Sequence, residues 1–123
     1  MNASEKRPKR PGDLEKLFQP ASVAVIGASR HPGKVGHDVL ANLIQGGFSG
    51  RLIPVNPATD GILGLPCFPT LADYGREVDL AIVVVPQALV LAVLNDAIKA
   101  RIKAAIVITA GFREIGNEGA ALE

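Results

Sequence analysis

Apolar residues in this chain fall into two alternating rhythms. Strand-like segments whose apolar residues run on without alternation occupy residues 22–27 (Ser-Val-Ala-Val-Ile-Gly), 51–55 after Arg51, 79–85 (Asp-Leu-Ala-Ile-Val-Val-Val) and 104–108. Continuous runs, as opposed to strict alternation, predict parallel strands buried on both faces, and 79–85 is the most strongly β of them and is expected at the centre of a sheet. Between the runs the spacing changes. Val35, Val39, Leu40, Leu43 and Ile44 form one helical stripe, ended by Gly46-Gly47. The pairs Leu89/Val90, Val93/Leu94 and Ala97/Ile98 form another within residues 87–101, and both predict helices lying on a sheet. Asp13 is placed to cap a short helix through Leu14, Leu17 and Phe18 that Pro20 stops. The Pro/Gly-rich stretch 57–69 predicts a connection with at most a brief extended piece around Cys67, followed by one helical turn at 71–74. Residues 109–112 repeat the character of the first strand-to-helix turn, and 119–123 look like the opening of a further helix, as in a domain cut from a longer polypeptide. Strands alternating with helices in this order predict right-handed βαβ units in an α/β, doubly wound parallel sheet with three layers, α/β/α.

Composition narrows the picture. A length of 123 residues with 48% hydrophobic content suits one domain, expected over residues 14–123. It follows a disordered basic tail at 1–13 that carries Lys6, Arg7, Lys9 and Arg10 beside prolines. Thirteen basic residues against twelve acidic ones give a net charge of +1, so no bulk field recommends nucleic acid or a membrane surface as partner, and any anion needs a local site. The single cysteine, Cys67, sits in an apolar run and is read as a buried structural thiol in a reducing compartment. No run has the apolar core of a signal peptide or the roughly 20 residues of a membrane span, so the expected location is the cytoplasm.

The candidate chemistry lies in the turn after the first strand. Glycines there let the main chain approach a ligand, and the following helix turns unpaired N–H groups and its positive dipole end toward an anion. The turn is not a G-x-G-x-x-G fingerprint, because Ser29 and Pro32 occupy the second and third glycine positions, and the second strand ends in Asn56 where a ribose-binding acid would stand. An NAD(P)-binding domain therefore ranks third among the readings. Nor is it a Walker A loop: five residues separate Gly27 from Gly33-Lys34, and Val35 takes the place of the magnesium-binding hydroxyl. What the turn offers is backbone donors, the Ser29 hydroxyl and two cations, Arg30 and Lys34, suited to a diphosphate. His31 and His37 lack metal-ligand spacing, and Ser29 with His31 lacks an orienting carboxylate. No catalytic or metal constellation is found. In a doubly wound sheet the loops at 27–36, 56–59, 85–88 and 108–112 converge at the carboxyl ends of the strands, where a nucleotide is the natural guest.

At these residues the chain resembles the N-terminal CoA-binding domain of ADP-forming acyl-CoA (acetyl-CoA) synthetases, relatives of the succinyl-CoA synthetase α subunit. The resemblance rests on Ser22-Val-Ala-Val-Ile-Gly-Ala-Ser29 with Lys34-Val-Gly36, Val55-Asn-Pro57 with Ile62-Leu-Gly-Leu65, Asp79 through Pro86, and Ala104 through Phe112. It implies a Rossmann-like domain with coenzyme A as ligand. The CoA phosphates are implied to lie on Gly27, Ala28, Ser29, Arg30, Lys34, Val35 and Gly36. Asn56 and Pro57 would lie beside the adenosine, Val85 and Pro86 along the ligand, and Ile108, Thr109 and Ala110 nearer the thiol. The family often carries a lysine just after Asn-Pro; here Ala58 and Thr59 stand there, which bears on how the 3′-phosphate is held. The family's reaction joins an acyl group to CoA with cleavage of ATP through a phosphohistidine in the next domain, and its ATP and magnesium belong to an ATP-grasp portion. This chain is accordingly expected to bind without turnover, with the remaining synthetase domains or subunits as partners. A stand-alone or acetyltransferase-fused CoA-responsive regulatory module is the alternative reading.

Overall fold

The structure, a computed structural model, describes residues 19–109. Four parallel strands form its sheet: β1 (Ser22–Ile26), β2 (Arg51–Val55), β5 (Val78–Val85) and β6 (Ile102–Thr109), in the order β2-β1-β5-β6. The helices are α1 (Val35–Gln45), α2 (Leu71–Tyr74) and α3 (Val90–Lys99), the last entered through a 3₁₀ turn at Gln87–Leu89. The sheet is Rossmann-like and doubly wound. From β1 the chain winds outward to β2, then crosses back to β5 on the other side of β1 and continues to β6, so winding reverses between β1 and β5.

The two faces carry separate cores. Val25 packs with Ala28, Leu40 of α1, Ile62 and Cys67, whereas Ala24, Ile26, Ile53, Val55, Val78, Ala81 and Val83 pack with Leu71 of α2 and Ala97 of α3. Successive residues of β1 therefore serve opposite layers, and all five are buried, which accounts for its unbroken apolar sequence. Pro54 is accommodated in β2 because that strand forms an edge of the four-stranded sheet. At the amino ends of the strands the buried Asp79 accepts the Ala21 N–H at 2.8 Å, and the Asp79 N–H donates to Ser22 Oγ at 2.9 Å, tying β5 to β1.

Three expectations need correction. The stretch 57–69 contains a hairpin, β3 (Gly61–Ile62) with β4 (Leu65–Pro66). Its two turn residues, Leu63 and Gly64, both have positive φ, 52° and 81°, the signature of a type I′ turn. The run at 104–108 is not a buried strand: among the described residues β6 has a strand neighbour on one side only, and Ile106 and Val107 are 45% and 40% exposed. The second long helix ends at Lys99, because Arg101 takes a left-handed conformation (φ 67°) that closes it before β6. The basic tail, the short helix at 14–18, the turn at 110–112 with Ala110, and the helix start at 119–123 lie outside the described residues.

Candidate functional site

The turn after β1 is shaped by two glycines. Gly27 has φ +97°, and a Cβ there would overlap the Val84 carbonyl oxygen; only glycine fits. A Cβ on Gly36, in the first turn of α1, would overlap the Gly27 carbonyl oxygen, so the helix start sits directly on the turn it follows. Gly27 is anchored by its N–H, which donates to the Val55 carbonyl at 3.0 Å.

Local bonds hold the rest of the loop. The His31 N–H donates to Ser29 Oγ at 3.0 Å and the Lys34 N–H to the His31 carbonyl at 3.1 Å. The Gly33 N–H donates to Asp38 Oδ1 at 3.3 Å, and the same oxygen lies 3.1 Å from His37 Nδ1. The His37 contact, followed by the Gly33 amide, holds the Asp38 carboxyl below its ordinary pKa. Lys34 is the N-cap residue of α1 and supplies no side-chain cap. The N–H groups of Ala28, Ser29, Val35 and Gly36 have no hydrogen-bond partner among the described residues. For Ala28, which is 1% exposed, such a donor is costly unless something else accepts it.

A second loop is clamped to the first. Asn56 Nδ2 donates to the Ala28 carbonyl at 2.7 Å, while Asn56 Oδ1 accepts the Ala58 N–H at 2.6 Å. Both ends of this amide are thereby engaged, and its contribution is the spacing of the two loops. Cys67 is buried beneath them, its thiol 3.6 Å from the Asn56 carbonyl, and desolvation pushes that thiol above its ordinary pKa.

These elements open onto a cavity of about 500 Å³, within the range of nucleotide and cofactor sites. Its walls include Gly27, Ala28, Ser29 and Lys34 from the first loop, Asn56 and Pro57 from the second, and Val85 from the end of β5. Of the other residues expected at the site, Arg30, Val35 and Pro86 are exposed and do not line the cavity. Gly36 is buried against the turn, and Ile108 and Thr109 sit at the end of β6, away from the walls. Thr70, Leu71, Val93, Asp96 and Ala97 also line it, and the sequence reading did not anticipate them. The signal for Val93 and Ala97 was present in the stripe of α3, where half of what reads as sheet packing forms the cavity wall. No group of three or more His, Cys, Asp or Glu among the described residues is placed to hold a metal ion, and no described helix is long and apolar enough to cross a membrane.

A doubly wound parallel sheet with unpaired amides and a cavity at its switch point defines a nucleotide-binding α/β module. Residues 21–121 match the CoA binding domain family, and the chain belongs to that family. It is 48% identical over 111 residues to acetate–CoA ligase (ADP-forming) II of Archaeoglobus fulgidus, covering 90% of this chain and 16% of that one. It is 40% identical over 114 residues to the α subunit of acetate–CoA ligase (ADP-forming) I of Pyrococcus furiosus, covering 89% of this chain and 25% of that one. Among solved structures, the dinucleotide forming acetyl-coenzyme A synthetase 1 of Ca. Korarchaeum cryptofilum superposes with a TM-score of 0.77 at 48% identity, over 85% of this chain and 23% of that one. The chain thus spans a quarter or less of these relatives and resembles the CoA-binding domain of ADP-forming acyl-CoA synthetases.

Proposed function

We propose that the cavity holds coenzyme A, with the pyrophosphate on the loop at 27–36, and that this chain is the CoA-carrying module of an ADP-forming acyl-CoA synthetase. The observation that carries the reading is the set of unpaired N–H groups at Ala28, Ser29, Val35 and Gly36 beside the Lys34 ammonium. They present donors and positive charge at a helix start, where an anion is stabilised. The Gly27–Gly36 contact supports it as well, since the two backbones meet only without side chains, leaving the amides bare toward a ligand. Asn56 keeps the second loop at the distance the ligand needs, and Pro57 and Val85 flank it.

CoA, once bound, supplies the thiol that takes up an acyl group. In this reading the chain binds and orients CoA, and the acyl transfer belongs to the rest of the parent enzyme. A synthetase of this kind works in the cytoplasm, where the lone, buried Cys67 stays reduced. With Ala58 and Thr59 after Asn56-Pro57, the 3′-phosphate rests on Lys34 and Arg30 or faces solvent.

Isothermal titration of the 123-residue chain with CoA, dephospho-CoA and NAD tests the reading. CoA is expected to bind more tightly than NAD, with dephospho-CoA within about tenfold of CoA, the size of one charge-assisted contact. Tighter binding of NAD, or no response to CoA at millimolar concentration, overturns it.

A further inference from the structure

The cavity is polarised. Among the described residues that line it, two are charged, Lys34 and Asp96. Lys34 stands at the carboxyl end of β1 with the unpaired amides. Asp96 stands seven residues into α3, beside Thr70 and next to Ala97, whose side chain packs in the same core as Val78 at the opposite end of β5. Between them the wall is aliphatic: Ile26, Val55, Leu71, Val85, Leu89 and Val93. The Asp96 carboxylate makes no hydrogen bond or ion pair among the described residues, although Lys99 lies one helical turn away on the same rim.

A carboxylate only accepts hydrogen bonds. A guest that fills this cavity therefore carries an anion at one end, an apolar body in the middle and a donor at the other end. The pantetheine arm of CoA fits poorly, because its two amides would be stranded along an aliphatic wall. A purine with an exocyclic amine fits: its faces are apolar and its donor projects from the rim. We infer that Asp96 is a specificity-determining residue that accepts a hydrogen bond from the 6-amino group of the adenine ring, and that the module discriminates 6-amino from 6-oxo purine nucleotides. The inference rests on the CoA reading above and adds the base contact to it.

The test compares CoA with its hypoxanthine counterpart, which presents an oxygen acceptor in place of the amine, by calorimetry on wild type, Asp96→Asn and Asp96→Ala. Wild type is expected to prefer CoA by about tenfold, since a carboxylate that faces an oxygen in place of the amine loses a charge-assisted hydrogen bond. D96N, whose amide donates as well as accepts, is expected to bring the two ligands within about twofold, and D96A to weaken CoA while also losing the preference. Circular dichroism checks that the exposed helix position leaves the fold intact. An unchanged ratio in D96N and D96A, with CoA still bound, overturns the assignment of Asp96 alone. Failure of wild type to bind either ligand overturns both this inference and the CoA reading.

Discussion

The two ends of the sheet are built on opposite terms. At the amino ends of the strands the polar groups are matched: Asp79 joins Ala21 and Ser22, Arg51 Nε donates to the Tyr74 hydroxyl at 2.7 Å, and Lys103 lies 3.5 Å from Glu77. Tyr74 is further fixed by an edge-on contact with Phe68 at 5.3 Å and by the Arg76 guanidinium 5.9 Å above its ring. At the carboxyl ends, the amides of Ala28 and Ser29, which line the cavity with Lys34, and those of Val35 and Gly36 at the adjoining helix start have no protein partners among the described residues. The difference separates stability from binding in space. One end closes its hydrogen bonds within the domain and anchors the fold, and the other leaves them for a guest.

Substitutions at each end break or sharpen that contrast. The largest effect is expected from Gly27→Ala, which adds a Cβ onto the Val84 carbonyl at a left-handed backbone. It should cost about 3 kcal/mol or more and lower Tm by roughly 10–20 °C in a thermal melt. A melt within 3 °C of wild type would show that the turn relaxes and that the close contact is unimportant. Asp79→Ala removes the carboxylate that accepts the Ala21 N–H, while the backbone N–H at 79 still reaches Ser22 Oγ. Urea unfolding should show a loss of about 2 kcal/mol, while CoA affinity of the folded protein stays within about twofold. A parallel fall in affinity would erase the division between the two ends.

Lys34→Ala should behave in the reverse manner, with stability within about 0.5 kcal/mol of wild type and CoA affinity lowered about tenfold. The salt dependence of binding should become shallower, and an unchanged affinity would remove the lysine from the site. The smallest effect concerns the loop latch. Asp38 is held below its ordinary pKa of 3.8, so its support of the Gly33 amide is complete above that value and is lost as pH falls through the lower folded value. The Gly33 amide resonance should titrate with a midpoint below 3.8 and cease to do so in Asp38→Asn; a midpoint above 3.8 would exclude the latch.

Much of this architecture was legible because burial on both faces leaves an unmistakable trace. The runs around Val23–Ile26 and Leu80–Val85 cannot alternate when helices cover both layers, and the winding order follows from the helical stripes between them. The hairpin at 61–66 escaped notice because its strands are two residues each and Leu63 occupies a conformation usually reserved for glycine, asparagine or aspartate. The exposure of β6 depends on which strand is left at the edge, a fact of topology that Ala104–Ile108 share with any interior strand. The glycine turn was visible at Gly27 and Gly36, but its contact with Val84 is not, since it joins positions far apart in the chain. Asp96 carries no signal in the sequence, because a single acid on a helix ordinarily faces water and only the fold brings this one to the border of a cavity.

The Asn56 amide gives the two loops a shared mechanical fate. Because one side chain grips the Ala28 carbonyl with its nitrogen and the Ala58 amide with its oxygen, neither loop can swing outward without dragging the other or breaking a short bond. A change that loosens either bond at Asn56 therefore reaches both loops at once, so the rim of the cavity holds or gives way as a unit.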